Sequence, residues 1–151
     1  MASVHGYPDL SFKAGTGCNS TGAAYRPVYI SGDNTVSICN TTTTLAKFVG
    51  ITQGYVNNVG DAIAVRVAGP SKAVLCASIT AAVGNAVGIA VNTTTAANGC
   101  VLVAASGVAN TAAGSDLVIG RFLTAGAAAG DVCEIFINPT FIAGFTSTVV
   151  G

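Results

Sequence analysis

A glycine, nine residues and then Gly-Asp occurs twice in this chain, with apolar strands on either side, and no other feature limits the fold as strongly. Phe48-Val49-Gly50 precedes Gly60-Asp61 and the run Ala62-Ile63-Ala64-Val65-Arg66-Val67. Seventy residues on, Val118-Ile119-Gly120 precedes Gly130-Asp131 and Val132-Cys133-Glu134-Ile135-Phe136-Ile137 at the same spacing. Each copy predicts an apolar strand closed by glycine, a surface loop, a Gly-Asp turn and a second strand whose side chains alternate between two faces. Beyond the glycines, the aspartate and strand hydrophobicity the copies share little, so the pattern speaks for β-architecture more than for two related halves.

The residues available to fill such strands are small. Ala and Gly make up 45 of 151 residues, Trp is absent and only ten residues are Phe or Tyr. Apolar burial contributes roughly 25 cal/mol per Å², so Ala-rich strands gain little each and further burial between subunits is expected. Charged residues are 8% of the chain and cancel in sign, which leaves a monomer poorly protected against association. Lys13, Arg26, Lys47, Arg66, Lys72 and Arg121 are scattered singly, so no basic face for direct nucleic-acid binding is expected.

Cys18, Cys39, Cys76, Cys100 and Cys133 form no CxxC pair, which disfavours zinc and redox motifs. Their expected role is that of small buried hydrophobes in a reducing cytoplasm, with a disulfide formed after assembly left open. The N-terminus carries neither a basic n-region nor an apolar h-region, and synthesis and use without Sec-type export is the expectation. No charge occurs between Lys72 and Asp116, and residues 73–91 satisfy a hydropathy window for a membrane helix. Gly84, Asn85 and Gly88 interrupt that window, so two short strands are expected and no membrane span.

Along the chain, residues 1–27 predict an extended N-terminal arm punctuated by Pro8, Gly15, Gly17, Gly22 and Pro27. Its aromatic residues anchor it either on another chain or on its own domain, and the sequence leaves both open. Residues 28–137 predict a β-barrel or sandwich domain, beginning with a hairpin around Ser31-Gly32-Asp33-Asn34 and including a turn at Gly69-Pro70-Ser71. Residues 138–151 predict a tail, a second arm or an edge strand. The fold class is all-β: a compact small β-barrel, β-tulip or jelly-roll-like domain with the extended arm.

Groups suited to catalysis are few. His5 is the sole histidine, in the arm, and no GxSxG elbow accompanies it. Glu134 is the only glutamate, three residues after Asp131, which on a strand would place the two on opposite faces. Asp33, Asp61, Asp116 and Asp131 adjoin or closely follow glycines, where aspartate shapes turns. The expectation is a non-enzyme with no cofactor and no metal.

Phe48-Val49-Gly50-Ile51-Thr52-Gln53-Gly54, Val59 to Gly69, Ser71 to Leu75, Ile79-Thr80-Ala81 and Ala128-Ala129-Gly130-Asp131-Val132-Cys133-Glu134-Ile135 occur in an order that resembles the capsid decoration, or cement, proteins of tailed bacteriophages, in their small domain-of-unknown-function family. The resemblance covers about residues 45 to 137. It departs at Ala82-Val83-Gly84-Asn85, where the family pattern has an Ala-Gly-Asp turn. It implies a β-barrel or β-tulip fold, a homotrimer on the outer surface of the virion that binds the major capsid protein, synthesis in the host cytoplasm and no enzymatic activity. Tyr7, Phe12, Tyr25, Arg26, Phe141 and Phe145, in the unmatched arm and tail, are the candidate trimer or capsid contacts. The alternative is a head-fibre or tail-associated module binding host glycans through loops such as 55–58 or 92–98, where Tyr55 and several Asn residues suit sugar recognition.

Overall fold

In β5 (Ala62–Arg66) Ile63 and Val65 point inward while Ala62 and Ala64 face solvent, and in β10 (Val132–Ile142) Cys133, Ile135 and Ile137 are buried between exposed neighbours. This two-residue period makes both segments half-buried strands. Each forms an antiparallel hairpin with the strand before it, β4 (Phe48–Thr52) or β9 (Val118–Phe122). The remaining strands are β1 (Asp9–Ala14), β2 (Pro27–Gly32), β3 (Thr35–Ile38), β6 (Gly69–Val74), β7 (Ala86–Ala90) and β8 (Cys100–Val103), with a short 3-10 turn at Thr21–Ala23. The computed structural model describes residues 9–40, 44, 47–76, 80–90, 99–104 and 117–142, the last four by backbone alone. Among the described residues no helix is long and apolar enough to cross a membrane, and the window at 73–91 contains the end of β6 and all of β7.

The first five strands close a barrel in the order β1-β3-β2-β4-β5, with β5 returning to β1. Every pairing is antiparallel except β1 with β3, which run parallel through Lys13↔Thr35 and Ala14↔Val36. Ala14, Cys18, Val28, Val36, Ile63 and Val65 fill the interior. Residues 9–27 are therefore not a free extended arm. Strand β1 pairs along all of β5, because its Lys-Ala end supplies the fifth strand without which the barrel has two open edges. Residues 1–8 lie outside the described residues.

The second sheet repeats this plan strand for strand. Its order β6-β10-β9-β7-β8 matches β1-β5-β4-β2-β3, and a parallel bridge between Leu75 and Val101 stands where Ala14 meets Val36. The hairpin registers coincide at a spacing of 70 residues: Thr52↔Val65 matches Phe122↔Ile135, and Ile51↔Arg66 matches Arg121↔Phe136. Even the irregularities coincide. Val28↔Gly50 is followed by Tyr29↔Phe48, which makes Val49 an extra residue, and Val87↔Gly120 is followed by Gly88↔Val118, which does the same for Ile119. Such a bulge resets the strand's alternation. Phe48 and Ile51, three apart, consequently share one side and join the larger core, while Val49 packs on the barrel interior.

That larger core fills the second sheet with Leu75, Val87, Ile89, Val101, Phe122, Ile135 and Ile137, and it extends into the outer face of the first barrel through Cys39, Phe48 and Ile51. The halves thus share this core, beside the interior that belongs to the first barrel alone. One further expectation is corrected. Gly69-Pro70-Ser71 is the start of β6 and not a turn, paired with Ile135 to Ile137; β6 ends the sheet, where a missing proline N–H is tolerated. Residues 138–142 continue β10 past the end of its pairing with β6 at Ile137, with Ile142 opposite Val118, and residues 143–151 of the expected tail lie outside the described residues.

Candidate functional site

The junction between the halves gathers the polar contacts that the repeated plan does not predict. In the first barrel the parallel seam of β1 and β3 is held by Lys13 N–H to Asn34 C=O and Gly15 N–H to Val36 C=O, both 2.7 Å. In the second sheet Cys76 N–H to Val101 C=O, 2.9 Å, reproduces the second of these. The first is split. The donor, Val74 N–H, goes instead to Tyr25 C=O at 3.1 Å, and the acceptor, Gly99 C=O, takes Arg26 Nη1 at 3.5 Å. Tyr25 and Arg26 of the first barrel therefore occupy one rung of the slit between β6 and β8.

Local geometry fixes this wedge. Tyr25 has φ +61°, a left-handed conformation that costs a non-glycine residue about 1 kcal/mol. Gly84, at φ +85°, takes its place in the second half: Tyr25 N–H bonds Thr52 C=O as Gly84 N–H bonds Phe122 C=O. An aromatic residue in a glycine position is explained by its contacts, for the ammonium of Lys72 lies 5.6 Å from the ring centroid. Arg26 is half-buried, and burial lowers its pKa. Its Nε donates to Gly22 C=O, and its backbone N–H donates to Thr52 Oγ1 at 2.9 Å. Thr52 Oγ1 in turn donates to Ala23 C=O at 2.6 Å, so this fully buried hydroxyl is satisfied on both sides.

Beside the wedge, Cys76 and Cys100 form a disulfide with Cα atoms 5.1 Å apart. The reading of all five cysteines as buried thiols is corrected for this pair and holds for Cys18, Cys39 and Cys133, which are free and buried. The first barrel has Gly15 and Thr35 at the matching places, and a β-carbon on Gly15 would overlap Ser37 Oγ and lie 2.8 Å from Val36 C=O. A closed seam has no room there for two cysteines. By spreading β6 from β8, the wedge makes the space the disulfide occupies.

The remaining thiols are suppressed. Burial pushes Cys39 up to about 12 against a hydrogen bond from the Thr44 side chain, burial raises Cys18, and burial with the neighbouring Asp131 carboxylate raises Cys133. Since the thiolate is the nucleophile, iodoacetamide at pH 8 is expected to leave Cys18, Cys39 and Cys133 unmodified in the folded protein and to label all three after denaturation. Mass spectrometry reads the result, and rapid labelling of the folded chain would contradict it.

No family model matches this chain, and no curated protein is a detectable relative.

The predicted contact residues fall into separate places. Tyr25 and Arg26 meet at the junction. Phe12 lies on β1, half-buried against the barrel interior. Phe141 is on β10, its side chain outside the description, and Tyr7 and Phe145 lie outside the described residues. Sequence reasoning missed an apolar row on the outer face of the second sheet: Val132 and Phe136 on β10 and Leu123 beyond β9 are 52%, 37% and 41% exposed. Its signal was the apolar character of both faces of β10. In the first barrel Arg66 and Asp9 form an ion pair where this row has Phe136 and Pro70. The Gly-Asp turns are also alike in both halves. Asp61 accepts the N–H of Asn58 at 3.1 Å and Asp131 those of Ala127 and Ala128 at 3.0 and 2.9 Å, which depresses the Asp131 pKa.

Proposed function

We propose that the protein is a capsid decoration protein that binds the outer surface of a phage head as a homotrimer and stabilises the shell through contact with the major capsid protein. The observation that carries this reading is the exposed pair Val132 and Phe136 on the outer face of β10, with Leu123 just beyond β9; Glu134 lies between the two β10 residues opposite Lys72, and Arg121 stands opposite Phe136. Large apolar residues grouped on a strand face gain by burial against another protein surface, and the bordering charges of both signs offer cross-subunit pairs. The order of motifs along residues 45–137 supports the same assignment, as four of the five motifs contribute to β4, β5, β6 and the start of β10, and Ala81 of the remaining one forms an isolated bridge with Gly126. Three chains in one particle would bind several capsid subunits at once, so modest contacts combine through effective concentration.

Light scattering is expected to give a trimer that Phe136→Glu, alone or with Val132→Lys, converts to monomer without changing the circular dichroism spectrum. Purified heads incubated with the protein should gain surface density in electron microscopy. A monomer at every concentration, or heads that bind none of it, would remove this function. The second reading, glycan recognition, draws on Tyr55, 50% exposed in the loop after β4. Binding on a glycan array that is abolished by Tyr55→Ala would favour it.

A further inference from the structure

We infer that the Cys76–Cys100 disulfide is a redox-operated clasp on the slit of the second sheet, and that the chain has two states, clasped and unclasped, with the first barrel unchanged between them. Two seams built to one plan differ in how they are held. The closed seam of the first barrel has backbone rungs from Lys13, Gly15 and Ile38, and two parallel residue pairs. Among the described residues the slit keeps one rung, Cys76 N–H to Val101 C=O, and one isolated bridge, and Tyr25 and Arg26 hold the donor and acceptor of a second. Beside that rung and the packing of Val74 and Cys76 on Cys100 and Leu102, the covalent bond joins β6 to β8. β6 and β8 are the ends of the second sheet, and loss of the bond frees both edges at the slit, whereas the first barrel has no disulfide in its seam and loses nothing.

The chemistry is thiol–disulfide exchange with a small-molecule disulfide as oxidant. Cys76 is half-buried and Cys100 only 2% exposed, so Cys76 is the entry point. Its thiolate attacks one sulfur of the external disulfide, forms a mixed disulfide and expels one external thiolate. The Cys100 thiolate then attacks the Cys76 sulfur and expels the second. Two protein protons and two electrons leave the chain, and the external disulfide becomes two thiols. Reduction by an excess of small-molecule thiol reverses each step, again through Cys76.

Amide hydrogen exchange of the full chain, oxidised and then treated with dithiothreitol, tests the clasp. Cys76, whose N–H spans the slit, is expected to exchange on the order of a hundredfold faster after reduction, the factor that constraining a loop of this size contributes. Lys13 and Gly15, which hold the matching seam, should exchange at unchanged rates. The double variant Cys76→Ser and Cys100→Ser should show the same pattern without reductant, and reduction of the folded wild type supplies the measurement if that variant does not fold. Equal acceleration at both seams would mean a general cross-link, and no acceleration at Cys76 would mean that the slit is held without the bond; either result overturns the inference.

Discussion

Gly120→Ala is expected to destabilise the protein by about 4 kcal/mol or more, at the severe end of single substitutions. In an ordinary strand this change is mildly favourable, since glycine interiors lose more backbone entropy. Here the bulge at Ile119 presses the next residue against β10, and a β-carbon on Gly120 would overlap Phe136 C=O and lie 2.9 Å from its carbonyl carbon. The obstacle is backbone, so no side chain can turn aside. β9 would have to separate from β10 along the pairs from Gly120 to Phe122, which also hold the core residues Phe122, Ile135 and Ile137. Gly50, at the matching place in the first barrel, would meet Arg66 C=O in the same way and should behave alike. Gly54, with open space around it, is the control and should stay within about 0.5 kcal/mol as alanine. Urea denaturation of the three variants decides the matter: wild-type stability in Gly120→Ala would show that the two strands can move apart freely.

Phe122→Ala is expected to cost about 3–5 kcal/mol, the range for removing a buried aromatic ring. Among the described residues Phe122 heads the fully buried side chains by volume, at 1% exposure, and its neighbours stand on a sheet whose hydrogen bonds resist collapse into the gap. A core of Ala, Val and Ile has few large groups, so one ring supplies an outsized share of the contact. Phe122→Leu keeps most of that volume and should recover over half of the loss. Thermal unfolding of the pair separates cavity formation from loss of aromaticity: equal melting temperatures for Phe122→Ala and wild type would mean that the site collapses around the deletion.

What was legible in the sequence follows from how local each cause is. Alternation in 62–67 and 132–137 and the Gly-Asp turns were readable because one strand or one turn contains its own explanation. Strand β1 was not, since Gly15, Gly17 and Gly22 follow it closely and its partner β5 lies about fifty residues away. The identity of plan between the halves was hidden because equivalent positions carry unlike residues: Thr52 against Phe122, Arg66 against Phe136, Tyr25 against Gly84. The pattern that survived, glycine after a bulge and aspartate after a glycine, marks the places where backbone geometry leaves no other choice. The disulfide had no sequence cue, because its cause is a rung taken up by residues of the other half. At the candidate site, Tyr25 and Arg26 were legible as contact residues, with their partner left open, and the described contacts join the first half of the chain to the second.

The split rung also gives the molecule a direction of assembly. Residues 9–66 close their ring of paired strands without a later strand, and a ribosome delivers them first. The second half cannot reach its own final form in the same way, since Val74 N–H and Gly99 C=O find their partners on Tyr25 and Arg26. The earlier half is thus a template on which the later one is finished, and two sheets of one design fold by different rules.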